Sequence, residues 1–328
     1  MENRTLTEKE NALRAILRTD DPEWVPILDD CIDVVIPGPM MEYAPFGTSG
    51  KDWFGCDWLW DEFSFSHGPN LRVPPVLEDI CEWRDVVQFP DLDSIDWEAA
   101  AKKDLERCDR EHKLVRLFCT IGPFERAGIL LGMENAFVAM VEEPEEYKAL
   151  IDAIGDYKVK LMHKMIAAYQ PDEVFFHDDL GGATGPMISL DMYRKFIKPA
   201  HKRIADVIRS YGVIYTYHSC GNMEQFIDDI IENGAQMINP LQPVNNWEEI
   251  VKKCAGKVSF DVGAEFRANY LETTKEEVIE DCRKVIDTFG PTKSLLLECF
   301  ISNAACAHNK EIMNEEARRY GREIYAHE

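Results

Sequence analysis

Residues 213–240 read VIYTYHSCGNMEQFIDDIIENGAQMINP and contain the clearest signal of fold class in this chain. It begins with an apolar run rich in β-branched and aromatic residues (213–217), continues with an amphipathic helical pattern (223–233), and ends with a second short apolar run (236–240). A strand, a helix and a second strand joined by a right-handed crossover place the two strands parallel and side by side. The stretch therefore predicts one unit of a parallel sheet that is covered by helices.

The same alternation recurs from Leu114 to the end of the chain. Strand-like runs occupy 114–119, 173–178, 213–217, 236–240, 257–262 and 294–299. Helical patterns occupy 124–140, 144–169, 189–210, 223–233, 246–254 and 274–289. With one or two further strands between Val25 and Pro37, eight is the natural strand total, and the fold class is a (β/α)8 TIM barrel. A doubly wound open sheet is the alternative, but no glycine-rich phosphate-binding fingerprint follows any of these runs.

Residues 38–98 interrupt this pattern with many glycines, prolines and aromatic residues. We interpret them as an elaborated loop or hairpin region within a single barrel domain that spans 1–328. Trp53, Phe54 and Trp58 lie in this region. They either pack the insert onto the barrel or wall a substrate cavity, since pockets are mainly apolar; we predict a substrate-binding role.

Composition excludes several classes of function. The chain has 36 Lys and Arg against 60 Asp and Glu, a net charge of −24, which opposes binding to nucleic acid and to anionic lipid. The amino terminus lacks the pattern of a signal peptide, and no apolar run approaches the roughly 20 residues of a membrane span. The ten cysteines are therefore expected to be reduced thiols in a cytoplasmic protein.

Candidate metal ligands lie where strands end, because the loops that carry chemistry in barrels converge there. Side chains two apart on an extended segment point the same way, so His218 and Cys220 are suited to bind one zinc ion. Cys299 follows another strand and is the predicted third ligand, ahead of Cys306, with Glu298 as a possible fourth. The alternative is a buried thiol beside a hydrogen-bonded core histidine.

A second group of polar residues follows the strand 173–178. Asp178 and Asp179 precede a glycine-rich turn, and we predict that they are catalytic; the alternative is that they cap the turn. His177 is either structural or part of the substrate-binding surface.

These motifs resemble a known family. HSCGN (218–222) with the following MEQFIDDIIENGAQMINPLQPV, HDDLGGATGPMISLDMYRKFIKPAHKRI (177–204) and DWFGCDW (52–58) resemble the uroporphyrinogen decarboxylase superfamily, in particular its zinc-dependent, corrinoid-linked methyltransferase branch. The likeness covers most of the chain and is strongest from 172 to 265. Decarboxylases of this superfamily carry an arginine-rich segment after the first strand, whereas VPILDDCIDVVIPGPM (25–40) contains no arginine.

The resemblance implies a (β/α)8 barrel with zinc bound by His218, Cys220 and Cys299. The branch often has glycine beside the last cysteine, where this chain has Glu298 and Phe300. The implied function is transfer of a methyl group between a small methylated substrate and the cob(I)amide (cobalamin-type) cofactor of a separate corrinoid protein.

O-Demethylation of a methoxylated aromatic compound is the favoured reaction, with Asp178 or Asp179 orienting the ring or donating a proton and with Glu298 or His177 completing the zinc shell. The alternatives are a methylcobamide:thiol (coenzyme M-type) methyltransferase, a decarboxylase-like lyase and a non-catalytic corrinoid-binding or ligand-binding protein.

Overall fold

The structure, a computed structural model, describes residues 6–64, 66–263 and 267–326. The strands within these ranges are β1 (Ile32–Val35), β2 (Gly50–Lys51), β3 (Asp57–Asp61), β4 (Ser66–Pro69), β5 (Leu114–Cys119), β6 (Glu173–His177), β7 (Ile214–His218), β8 (Met237–Asn239), β9 (Ser259–Gly263) and β10 (Leu295–Glu298). All six strands predicted between Leu114 and Cys299 are present.

Seven of these strands form one parallel sheet, in the order β1-β5-β6-β7-β8-β9-β10. Beyond β10, Leu297 pairs in parallel with Ile27, and its N–H donates to the carbonyl of Pro26 at 2.9 Å. The predicted α/β barrel is therefore confirmed, and the doubly wound alternative is wrong, since the strand order runs once along the chain without a reversal. Within the described residues, a single bridged residue, Ile27, stands where an eighth strand was predicted.

The α-helices cover the outside of the sheet and close one end. They are α1 (Glu8–Leu17), α2 (Leu28–Cys31), α3 (Trp83–Val86), α4 (Trp97–Asp104), α5 (Pro123–Leu131), α6 (Met133–Glu142), α7 (Pro144–Tyr169), α8 (Leu190–Met192), α9 (Lys198–Ser210), α10 (Ile227–Glu232), α11 (Trp247–Cys254), α12 (Lys275–Phe289) and α13 (His308–Ala326). The predicted helix 124–140 is two helices, because Gly132 adopts φ 78° between α5 and α6. The predicted helix 189–210 is interrupted by a π-helical turn at Tyr193–Ile197. No helix in the described ranges is long and apolar enough to cross a membrane; the cytoplasmic location and the single-domain organisation stay predictions.

The insert at 38–98 contains an antiparallel sheet in the order β2-β3-β4. Buried charges attach it to the barrel. Arg126 of α5 forms ion pairs with Asp52 at 2.6 Å and with Glu42 at 2.8 Å, and Lys158 of α7 pairs with Glu42 at 2.6 Å. Because buried charges are stable only when they are paired, these contacts fix the position of the insert against α5 and α7.

The interior of the barrel is layered, since residues two apart on a strand face the same side. The lowest layer is apolar and packs against Ala12 and Ile16 of α1; its strand residues are Ile32, Leu114, Ile214, Met237 and Leu296. Above it, Arg116 is ion-paired with Glu173 at 2.9 Å and Asp261 at 2.8 Å. Along the strands, the next inward positions are Phe118, Phe175, His218, Asn239 and Glu298. Polar side chains are therefore concentrated at the carboxyl ends of the strands.

Candidate active site at the carboxyl ends of the strands

Two histidines stand side by side at the ends of adjacent strands. His177 of β6 is in register with His218 of β7, and their ring centroids are 4.4 Å apart. The Nδ1 atom of His177 lies 3.0 Å from Oε2 of Glu125, and Nδ1 of His218 is hydrogen-bonded to Oδ1 of Asn239. The two Nε2 atoms lie 3.2 Å and 3.6 Å from the same Oδ1 atom of Asp179. The site thus combines two imidazole nitrogens and one carboxylate oxygen.

Cys220, in the loop after β7, contacts two members of this group. Its N–H donates to Oδ1 of Asp179 at 2.7 Å, and its Sγ lies 3.4 Å from Nε2 of His218. The loops after β6 and β7 cross in close contact. A Cβ atom on Gly181 would therefore clash with the carbonyl of Cys220. Gly221 adopts φ 72°, a conformation that favours glycine. The glycines therefore allow the carboxylate and the thiol to approach each other.

The electrostatics separate the charge states of the two histidines. Burial disfavours the charged form of His177, but the carboxylates of Glu125 and Asp179 outweigh it and raise the pKa of His177 well above its usual value. Burial opposes ionisation of Asp179, but His177 and the hydrogen bonds lower the pKa of Asp179 below its usual range. Burial and the charge of His177 lower the pKa of His218 to about 4. His218 is therefore neutral at physiological pH, with a lone pair available for a metal ion.

Asp178 lies on the other side of the strand end. Its Oδ2 accepts the N–H of Phe124 at 3.0 Å and lies 2.7 Å from Nε2 of His201, and its Oδ1 accepts the N–H of Glu125 at 2.9 Å. The carboxylate is fully buried against the first turn of α5. These contacts give it a helix-capping role, and catalysis by Asp178 stays a prediction.

A cavity of about 310 Å³ opens beside the histidines. Its lining residues are Leu28, Asp29, Val34, Ile36, Arg116, Phe118, Phe175, Glu298, Cys299, Phe300 and Lys310. The ring of Phe175 lies 5.1 Å from that of His218, and Oε2 of Glu298 accepts a hydrogen bond from Nδ2 of Asn239 at 3.0 Å. Neither histidine lines the cavity, but Phe175 of its wall lies next to His218, and Glu298 is joined to His218 through Asn239.

The predicted third and fourth ligands lie around this cavity. Cys299 is buried, and burial raises the pKa of its thiol well above the usual value, with Cys282 and Asp29 as further neighbours. Throughout the described residues, His177, Asp179 and His218 alone form a group of three His, Cys, Asp or Glu donors whose ligand atoms all lie within 4.8 Å of one another. Cys220, Cys299, Glu298 and Cys306 lie outside this group, and their ligation of a metal stays a prediction.

The predicted aromatic residues of the insert are used in packing. Phe54 lies edge-on to the ring of Tyr157 at 5.4 Å, and the guanidinium of Arg126 stacks 4.3 Å from it. Trp58 donates its indole N–H to Asp52 at 2.9 Å, and Trp53 is partly buried against the same core. None of the three lines the cavity described above. Their contact with substrate stays a prediction.

Sequence reasoning gave no role to the residues that orient the histidines. Glu125 lies in the first turn of α5, where an acidic residue is ordinary, so no signal in the sequence identified it. Asn239 lies at the end of a predicted strand (236–240), and that position is the feature of the sequence that could have identified it as a site residue.

The fold and the site define an α/β-barrel protein with a histidine, carboxylate and thiol cluster at the carboxyl ends of its strands. The model of the uroporphyrinogen decarboxylase (URO-D) family matches residues 62–318, which is most of the chain. The protein therefore belongs to the uroporphyrinogen decarboxylase family.

Two methyltransferases from Methanosarcina mazei are similar to it. A methylated-thiol–coenzyme M methyltransferase is 34% identical over 112 residues, which is 34% of this chain and 29% of that relative's length. A solved methyltransferase structure superposes with a TM-score of 0.72 and 13% identity, covering 96% of this chain and 99% of that one. The second likeness shows that the fold is shared over the whole chain.

Proposed function

We propose that this protein is a methyltransferase that moves a methyl group between a small methylated substrate and a corrinoid carried by a partner protein, with zinc as its metal. The observation that carries the proposal is the pairing of His218 Nε2 and Cys220 Sγ, 3.4 Å apart at the barrel mouth. The family and the methylated-thiol relative support the same reaction class.

The residues present fit a zinc ion. Ligands bound at about 2.0–2.1 Å (nitrogen) and about 2.3 Å (sulfur) in tetrahedral geometry lie about 3.5 Å apart, close to the separation of His218 and Cys220. Asn239 accepts from Nδ1 of His218 and thereby leaves Nε2 for the metal. When bound, zinc would hold a thiol as its thiolate or stabilise the atom that loses the methyl group.

The protein's own residues prepare the substrate cavity. The rings of Phe118 and Phe175 stack 4.7 Å apart and, with Phe300, give it apolar walls that exclude water. Glu298 lines the wall and accepts from Asn239, so it links the substrate space to His218. In this proposal the cavity holds a small molecule next to Phe175, whose ring lies 5.1 Å from that of His218.

A methylated thiol is the better substrate candidate, and a methoxylated aromatic is the second. The aryl preference predicted from the sequence rested on the aromatic insert, but Phe54 and Trp58 are buried in packing contacts. The methylated-thiol relative supports the thiol. A lyase acting on a tetrapyrrole with many carboxylates fits poorly, because Asp29 and Glu298 line a cavity of only about 310 Å³.

The test is methyl transfer by zinc-loaded protein kept under reducing conditions. Methylcobalamin is offered with thiols, and cob(I)alamin is offered with methylthiols or methoxyarenes, while the corrinoid absorbance is followed. We expect methyl transfer with at least one thiol or methylthiol, and loss of this transfer in Cys220→Ala. Transfer should be normal in Cys81→Ser, which changes an exposed thiol of the insert. Zinc-loaded protein that transfers no methyl group in either direction would contradict the proposal.

A further inference from the structure

The barrel is not closed by strand pairing between β1 and β10. These two strands are the edges of the seven-stranded sheet, and on the β1 side of β10 a single described residue, Ile27, pairs with Leu297. After Ile27 the chain forms the helical turn α2 before it enters β1, which pairs with β5 alone among the described strands. A gap therefore remains in the barrel wall between β1 and the segment that follows β10.

Interior side chains beside this gap are exposed. Val34 lies two residues after Ile32 of the interior layer and is in register with Arg116, yet Val34 is 47% exposed and Arg116 is 2% exposed. Ile36, two residues farther along, and Phe300, after β10, are exposed to a similar extent. All of these except Ile32 line the cavity of about 310 Å³. The cavity is therefore open to the surface at the free edge of β1.

The outer end of the cavity is formed by two helices. Asp29 of α2 and Lys310 of α13 both line it, and their side chains pair at 2.9 Å. Asn314 of α13 donates to the same carboxylate at 3.0 Å, so α13 is attached to α2 beside the gap. The cavity thus extends from Arg116 in the barrel interior to an ion pair between two helices. We call this passage the side opening, and its lining residues are Asp29, Val34, Ile36, Phe300 and Lys310.

The mouth of the barrel has a different occupant in the proposed function. The corrinoid must come within bonding distance of the methyl group, so its macrocycle must lie over the carboxyl ends of the strands. A macrocycle in that position covers the mouth, where His218 and Cys220 lie 3.4 Å apart. A small molecule that used the mouth would have to bind before the partner protein and leave after it.

We propose that the small substrate reaches the cavity through the side opening while the corrinoid partner covers the mouth, and that Val34, Ile36 and Phe300 determine which molecules pass. These three side chains are apolar, and the charges at the outer end already form an ion pair, so a neutral thiol or thioether passes at lower cost than an ion. This inference rests on the proposed function for the identity of the substrate. The access route itself rests on the gap between β1 and β10.

The first test measures access to Cys299, which is buried and lines the cavity, in protein freed of metal so that no ligation protects the thiol. Methyl methanethiosulfonate, a small neutral reagent, converts a thiolate to a methyl disulfide and releases methanesulfinate, and peptide mass spectrometry gives the rate at each cysteine. Cys220 at the mouth is the internal control. Val34→Trp fills the side opening and Phe300→Ala widens it. Val138→Trp adds the same ring to an equally exposed valine of α6.

We expect Cys299 to react several-fold more slowly in Val34→Trp and faster in Phe300→Ala. The rate at Cys220 should be unchanged in both, and Val138→Trp should match wild type at both cysteines. Because Phe300→Ala only removes atoms from an exposed ring, it keeps the test informative if circular dichroism shows that Val34→Trp fails to fold. Equal rates at Cys299 in wild type and in both side-opening variants, including no reaction in any of them, would overturn the inference.

The second test separates this inference from the proposed function. In methyl transfer between methylcobalamin and mercaptoethanol, Val34→Trp should raise KM for the thiol and leave KM for methylcobalamin unchanged. Its zinc affinity, measured by competition with a chromophoric chelator, should equal that of wild type. An unchanged KM for the thiol, or an equal rise in both KM values, would overturn the inference and leave the proposed function intact. Slower reaction of Cys299 in Val34→Trp, with no methyl transfer by wild type, would remove the proposed function while the access route stood.

Discussion

The replacement Asp178→Asn distinguishes a helix cap from a catalytic acid. The carboxylate accepts the N–H groups of Phe124 and Glu125 and contacts the ring of His201, all in a fully buried setting. Hydrogen bonds to a charged group contribute about 1.5–3 kcal/mol each, and a negative charge at a helix amino terminus about 0.3–1 kcal/mol. An amide keeps one acceptor oxygen and turns an NH₂ group toward the other donor. We therefore expect the free energy of unfolding to fall by about 3 kcal/mol.

The assay is urea denaturation of the metal-free protein followed by circular dichroism. Asp191→Asn is the matched control, since it removes an exposed carboxylate from the first turn of α8 and should change stability by less than about 0.5 kcal/mol. Zinc affinity of folded Asp178→Asn should stay within a few-fold of wild type. If Asp178→Asn were as stable as wild type but inactive in methyl transfer, the capping argument would be refuted and the carboxylate would belong to the chemistry.

Three further changes test the surroundings of the site. Arg126→Met leaves two buried carboxylates without their guanidinium and should cost about 3–5 kcal/mol of stability by the same denaturation assay; a loss below 1 kcal/mol would show that water reaches them. Gly181→Ala should weaken zinc binding, because its Cβ would displace the loop after β7, whereas Gly185→Ala adds its Cβ to open space and should bind zinc normally in the same chelator competition. Burial and Glu298 raise the pKa of Asp261 to about 7 despite the ion pair with Arg116. Since this folded-state pKa exceeds the unfolded value of about 3.9, the contribution of Asp261 to stability is full below about pH 4 and is lost as the pH rises through 7, on the order of 4 kcal/mol. Denaturation at pH 5 and pH 8 should show this dependence in wild type and a weaker one in Asp261→Asn; equal slopes in both proteins would contradict it.

The barrel was predictable because its repeating unit is local. The apolar runs 213–217 and 236–240 are short, and the amphipathic helix between them (223–233) has the length of a crossover, so the sequence specifies a parallel pair without reference to distant residues. Breaks within helices were harder to foresee. The turn at Gly132 depends on a positive φ angle, and the π-helical turn at Tyr193–Ile197 leaves no change in the apolar period.

Residues along a strand face the barrel interior and the helices in alternation, and this alternation determines which of the predicted site residues lie on the same side. On β6, Glu173, Phe175 and His177 face the barrel interior, and Asp179 continues on that side, whereas Asp178 faces α5. Adjacent acids at a strand end are therefore not equivalent: Asp179 lies beside the two histidines, and the catalytic role of Asp178 stays a prediction.

The third predicted ligand, Cys299, lies beside the cavity. On β10, Leu296 lies in the apolar interior layer and Glu298 lines the cavity, and Cys299, the first residue after the strand, lines the same cavity. Counting from an assigned interior residue groups Asp179 with His177, and the roles of Asp178 and Cys299 stay predictions. The alternation of strand residues does not predict the position of Glu125, because this position depends on how α5 packs over the strand ends.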